Sequence, residues 1–171
     1  MFGKPAFKED FISIQEKKEL LARRQAFTNP IIAITGHLGK TSTLSMINTI
    51  LSVRGKVLKP ENGCGNLQNN YNAIKKLNKT YDFGLFEINP QKGSQFVELV
   101  RLIRPNIAIV TNLGDAHLNY LDRMIRHAVE KASLLKYLDQ DGIAILNKDD
   151  ELSYNIMKQI KGLNAIQFGL N

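Results

Sequence analysis

A chain of 171 residues, 43% hydrophobic and 23% charged, has the length and composition of one globular domain, and no apolar run approaches the ~18 residues of a membrane span. Cys64 is the only cysteine, which excludes an intrachain disulfide, and MFGKPAFKED lacks the apolar core of a secretion signal, so a reducing cytoplasm is the expected setting. The net charge of +7 lies mostly in residues 1–60, where ten Lys and Arg face four Asp and Glu; with no interleaved aromatics and no base-reading module, it predicts a solvated helix face and a polyphosphate site, not nucleic acid.

In chain order, residues 8–27 read as a basic leading helix, with Phe11, Ile14 and Leu21 on one side and Lys17, Arg23 and Arg24 exposed. Asn29-Pro30 stops it, so residues 1–30 form a leading helix and linker and 31–171 an α/β domain. Ile31 to Thr43, IIAITGHLGKTST, is an apolar strand that breaks into a glycine loop and then Lys-Thr-Ser at a helix start. Backbone N–H groups, the helix N-terminus and the Lys40 ammonium make that loop a phosphate cradle, and the Thr41 hydroxyl is placed to reach a Mg²⁺. Only His37, Leu38 and Gly39 separate Gly36 from Lys40, two residues fewer than in a Walker A loop.

The helix that follows carries Leu44, Ile47, Ile50 and Leu51 at helical spacing and ends at Arg54-Gly55. A short strand at Val57 and Leu58, the loop ENGCGNLQNN and a helix near Tyr71 to Leu77 come next. Asp82 to Ile88, Asn106 to Thr111, Gly142 to Leu146 and Asn164 to Phe168 are compact apolar runs suited to buried strands, each separated from the next by a helical segment. Such alternation predicts a doubly wound, mainly parallel sheet with helices on both faces and ligands at the carboxyl ends of the strands. Those ends carry the phosphate loop, Glu87, and the run Asn112, Gly114, Asp115, His117. A carboxylate and an imidazole beside a triphosphate suit a Mg²⁺ site, although Glu87 could equally cap a neighbour and His117 bond to backbone. His37 and His127 read as structural or solvent-facing.

Four of these segments, in order, resemble the Mur ligases, the ATP-dependent amide ligases of cell-wall peptide assembly, and their folylpolyglutamate synthetase relatives. ITGHLGKTST is similar to that family's short phosphate loop, which accounts for the two missing residues. FGLFEINP resembles the strand ending in the family's Mg²⁺-binding glutamate, here Glu87. RPNIAIVTNLGDAHL resembles the block with the metal-binding histidine, here His117. HAVEKASLLKYLDQDGIAILNKDD resembles the helix and strand in which a lysine, here Lys131, is carbamylated and helps bind a second Mg²⁺. GNLQNNYNAI is most similar to the MurF-type branch, which joins D-alanyl-D-alanine to UDP-MurNAc-tripeptide.

The resemblance implies ATP and Mg²⁺ as ligands and a P-loop-like central domain. It implies nucleotide contacts from Thr35, Gly36, Gly39, Lys40, Thr41, Ser42, Asn112 and Asn147, and metal contacts from Thr41, Glu87, His117 and Lys131. Lys40, Glu87, His117 and Lys131 would carry the chemistry, in which ATP phosphorylates a carboxylate and an amine attacks the acyl phosphate. Lys131 could otherwise be a helix-surface lysine paired with Glu130 or Asp139. The carboxylate and amine substrates are expected on flanking domains outside these 171 residues. The alternatives are a stand-alone P-loop nucleotide-binding or ATPase module and a degenerate Mur-like interaction domain.

Overall fold

The apolar runs pair into one sheet of six parallel strands. A computed structural model describes residues 12–61, 65–89, 95–114, 121–160 and 162–170; for 121–128, 156, 157 and 159 only the backbone is considered. The sequence positions Phe11, Cys64, Asp115 and His117, and the side chain of His127, lie outside this description. The elements are α1 (Ile14–Ala26), β1 (Ile31–Thr35), α2 (Lys40–Ser52), β2 (Val57–Leu58), α3 (Leu67–Lys76), β3 (Phe83–Glu87), α4 (Gln95–Ile103), β4 (Ile107–Val110), α5 (Leu121–Lys136), β5 (Ile143–Asn147), α6 (Glu151–Gln159) and β6 (Ala165–Phe168).

The strand order is β2-β3-β1-β4-β5-β6. In that order the step from β1 to β2 runs one way, and every later step, β2 to β3, β3 to β4, β4 to β5 and β5 to β6, runs the other. Right-handed crossovers place connecting helices on opposite faces for opposite directions of travel. Thus α2 belongs to one face and α3, α4, α5 and α6 to the other, which is how the doubly wound expectation is realised.

Packing follows this division. On the crowded face Ile31, Ala33, Phe86, Ile88, Ala108, Val110, Ala144 and Leu146 meet Leu20 of α1, Tyr71 and Ile74 of α3, Phe96 and Leu99 of α4, and Leu134 of α5. On the other face Ile32, Ile34, Leu85 and Ile109 pack on Leu44 of α2, with Ile47 and Leu51 at the margin. Ile50, expected with that inward set, is 67% exposed instead.

The leading helix differs from expectation in which side it buries. Ser13 forms a capping box with Glu16, so α1 begins at Ile14. Leu20 and Arg24 are buried, whereas Ile14 and Leu21 are exposed. Arg24 was expected at the surface. Its guanidinium donates to the carbonyls of Ile103 (2.6 Å), Phe27 (3.0 Å) and Arg104 (2.6 Å), which satisfies the carbonyl-rich end of α4 and ties α1 to the sheet's amino edge. Burial lowers its pKa below the ordinary arginine value.

Candidate nucleotide site

The order reversal at β1 puts the carboxyl ends of β1, β3 and β4 beside one another, where an open α/β sheet leaves a crevice. Registers Ile34↔Glu87 and Thr35↔Val110 bring the start of the glycine loop level with Glu87 on one side and with the Thr111-Asn112 turn on the other. The loop is therefore flanked by a carboxylate and by two hydrogen-bonding side chains.

Gly36 and Gly39 shape the loop differently. At Gly36 (φ 150°) a Cβ would lie 2.0 Å from Thr111 Oγ1 and 3.0 Å from the Asn112 carbonyl, so the site has room only for hydrogen. Gly39 has φ 77° with nothing within 4 Å, and its left-handed backbone turns the chain into α2. No side chain caps α2 and its first turn holds no acidic residue, in contrast to the Ser13 and Asn66 caps of α1 and α3. The partial positive charge of this helix end thus points at the loop without an internal carboxylate on its first turn.

Lys40 is half-buried and its Nζ donates to the His37 carbonyl at 3.0 Å, folding the ammonium over the loop. Thr41 Oγ1 donates to Glu87 Oε2 at 3.0 Å, and Glu87 is 2% exposed. Ser42 is exposed on the same first turn. Thr35 is fully buried, and its hydroxyl has no hydrogen-bond partner among the described residues. Glu87 accepts from a neighbouring side chain, as the capping alternative expects, and that neighbour is Thr41 of the loop. A carboxylate and a hydroxyl so placed are the hard oxygen donors that Mg²⁺ takes, with phosphate oxygens and water completing its shell. Among the described residues no group of three His, Cys, Asp or Glu could hold a metal by itself; His117 lies outside them.

Asn112 grips the loop. Its Oδ1 accepts from the N–H of His37 (3.1 Å) and of Leu38 (3.0 Å), and its carbonyl accepts from His37 N at 2.8 Å. Thr111 Oγ1 donates to the Leu38 carbonyl at 2.7 Å. Asn147, at the end of β5, donates through Nδ2 to the Thr111 carbonyl (3.1 Å) and accepts through Oδ1 from Asp149 N (3.0 Å). His37 is exposed. A cleft of about 550 Å³ opens between His37, Leu38, Asn112 and the Asn147 to Asp150 turn, a size within the about 300–1,000 Å³ of small-molecule pockets.

Lys131 is 7% exposed, so it is not the helix-surface lysine that the sequence left open, and Asp139 pairs with Arg104 (2.9 Å) instead. Burial lowers the Lys131 pKa below the ordinary lysine value, Lys40 lowers it further, and Asp150 opposes the shift. The two lysines and Asp150 therefore share one electrostatic neighbourhood at the loop.

Three contributors were not anticipated. Thr111 binds the loop carbonyl; Asn70, fully buried on α3, donates to the Glu87 carbonyl at 3.1 Å; and Asp150 accepts from Leu113 N at 3.0 Å. Only Asp150 leaves a local trace, as a helix-capping residue just before ELSYN.

Comparison with known proteins finds relatives over most of the chain. The family model described as the Mur ligase middle domain matches residues 34–171. The UDP-N-acetylmuramoyl-tripeptide–D-alanyl-D-alanine ligase of Synechocystis sp. is 32% identical over 147 residues, 86% of this chain and 32% of that protein. The Escherichia coli (strain K12) ligase of the same name is 33% identical over 151 residues, 86% of this chain and 33% of that protein. The chain spans about a third of the length of the curated relatives it matches. A crystal structure of MurF from Acinetobacter baumannii superposes with a TM-score of 0.80 at 22% identity, over 90% of this chain and 34% of that one. The MurF ligase of Thermotoga maritima, solved in complex with ADP, gives 0.74 at 20% identity, over 98% and 40%.

Proposed function

This chain belongs to the Mur ligase family as a middle domain, and on that premise we propose that it binds Mg·ATP through the loop at residues 35–42. In that role it supplies the phosphoryl-transfer part of an amide ligation that joins D-alanyl-D-alanine to UDP-N-acetylmuramoyl-tripeptide, the reaction its relatives are named for. The ADP complex of a MurF neighbour of the same fold supports the nucleotide part of this reading. A middle domain of such a ligase works where ATP and the soluble precursors are, in the cytoplasm; no described helix is long and apolar enough to cross a membrane.

The observation that carries the reading is the Thr41 Oγ1 to Glu87 Oε2 contact of 3.0 Å beside Lys40. It joins a helix N-terminus and a strand end that lie 46 residues apart in the chain. Lys40 leaves the His37 carbonyl for phosphate oxygens, and the α2 N-terminus orients the terminal phosphoryl group toward the carboxylate. Thr41 and Glu87 would hold Mg²⁺, with His117 and Lys131 assigned to the metals by their family positions. When bound, Mg²⁺ supplies neutralisation of phosphate charge and polarisation of the transferring group. Burial and Lys40 favour a neutral Lys131 amine, the form that adds to CO₂ to give a carbamate with release of a proton. The carboxylate and amine substrates fall to flanking domains.

Calorimetric titration with Mg·ATP tests the proposal. Lys40→Ala should weaken binding by tenfold or more while circular dichroism and melting stay unchanged, since the ammonium makes about one charge-assisted bond of 1.5–3 kcal/mol. Equal affinity in the two proteins would sink it.

A further inference from the structure

The phosphate loop is held in place by bonds from the turn after β4. That turn is itself held by the one after β5. Asn112 and Thr111 carry the first set of bonds, to His37 and Leu38. In the second, Asp150 Oδ2 accepts from the N–H of Leu113, the residue after Asn112, at 3.0 Å. The same oxygen accepts from Ser153 N at 2.9 Å and from Ser153 Oγ. The Ser153 bonds are an N-cap of α6, whose first helical bond runs from Tyr154 N to the Asp150 carbonyl. The Leu113 bond adds nothing to capping α6. It reaches 37 residues back, into the turn that grips the phosphate loop.

We propose that Asp150 is a positioning residue for the nucleotide: by seating Leu113 it holds Asn112 against His37 and Leu38, so the loop presents its N–H groups in one conformation. The proposal rests on the nucleotide reading above. Asp150 lines the adjoining cleft, and the oxygen that bonds Leu113 acts on the loop through Leu113 and Asn112. A carboxylate oxygen fixed by three donors is stiffer than a cap needs, and that stiffness passes to the loop through two consecutive residues of one turn. Affinity then depends on a carboxylate bonded to the turn behind the loop and not to the loop itself.

Two variants separate capping from positioning. Asp150→Ser keeps a good N-cap but is one heavy atom shorter and cannot also reach Leu113. Asp150→Asn keeps an oxygen at the same distance and loses the charge. In titrations with Mg·ATP, Asp150→Ser should bind about tenfold more weakly, the equivalent of leaving the Leu113 N–H unpaired, while circular dichroism shows it still folded. Asp150→Asn should bind nearly as tightly as the unsubstituted protein. If Asn weakens binding as much as Ser, the charge facing Lys131 sets affinity and the proposal fails; it fails equally if Ser has no effect. Amide spectra of the nucleotide-free proteins provide a readout independent of ATP. Asp150→Ser should shift the Leu113, His37 and Leu38 signals, and shifts confined to residues 149–154 would overturn the assignment. An unsubstituted protein that binds no Mg·ATP would refute the proposed function, and the amide shifts would still decide the role of Asp150.

Discussion

Gly36 and Gly39 sit three residues apart in one loop, yet a methyl group at each meets different physics. At Gly36 the added carbon would strike Thr111 Oγ1 and the Asn112 carbonyl. Thr111 would have to release the Leu38 carbonyl that it bonds at 2.7 Å. Gly36→Ala should therefore cost about 2–3 kcal/mol, from overpacking plus a lost part-buried hydrogen bond. Gly39 meets only open space, so Gly39→Ala should cost about 1 kcal/mol, the strain of a left-handed residue with a Cβ. Urea unfolding of both variants checks this ranking, and equal midpoints would contradict it. Lys131 makes a second prediction at this scale, in pH. Its folded pKa lies below its unfolded value of 10.5, so between the two values the unfolded chain binds more protons and stability rises with pH. Below the folded value the ammonium is charged in both states and its burial opposes folding in full. Lys131→Met should thus be the more stable protein at pH 7, with the gap to the unsubstituted protein closing as pH nears 10.5. A gap that widens toward alkaline pH would refute the assignment of Lys131 as a buried, charge-penalised amine.

Side chains whose partners are near in sequence, or whose role lies in a loop pattern, were legible before the fold was known. Lys40, Thr41 and the two loop glycines belong to that group, and Glu87 was readable as the last residue of an apolar run. Arg24 was misread because a basic residue on a helix is ordinarily solvated, and the carbonyl it serves at Ile103 lies 79 residues away. Asn70, bonded to the Glu87 carbonyl, and Asp150, bonded to Leu113, act across 17 and 37 residues. No periodicity signals a bond of that span. Only the strand order brings such residues together.

At the scale of elements, strand positions were legible from short apolar runs, but the covering of each face was not, because it depends on which strands are neighbours. The lone leftward step from β1 to β2 leaves α2 by itself among the described helices on its face. The part of that face formed by β4, β5 and β6 is correspondingly open. Registers place Ile109, Ile145 and Ile166 in one row across it, and exposure rises along the row from 6% at Ile109 to 54% at Ile166. Phe168, in register with Asn147, is 43% exposed. Ile166→Lys should then change stability by no more than about 0.5 kcal/mol, the range of surface substitutions. Ile109→Lys should unfold the domain, since an unpaired buried ammonium costs several kcal/mol against a total stability of about 5–15. Circular dichroism distinguishes the two. A folded Ile109→Lys protein would show that this face is far more open than its burial indicates.

For the molecule as a whole, the order reversal at β1 is the feature from which the rest follows. It creates the crevice, sends α2 to its own face with an uncapped N-terminus over the loop, and sets Glu87 and Asn112 on either side. Both the parallel sheet and the position of its crevice were readable from alternating strands and helices. The support behind the crevice, from α3 through Asn70 and from the β5 to α6 turn through Asp150, was not. Mn²⁺·ADP, a paramagnetic stand-in for the magnesium nucleotide, measures the central claim directly through the signals it broadens in an amide spectrum. A single Mg·nucleotide site at the loop predicts saturable broadening centred on residues 36–42 and on Glu87, reversed by excess Mg²⁺·ADP and shifted to at least about tenfold higher concentration in Lys40→Ala. Saturable broadening centred on any other part of the sheet, or identical broadening in Lys40→Ala, would contradict it.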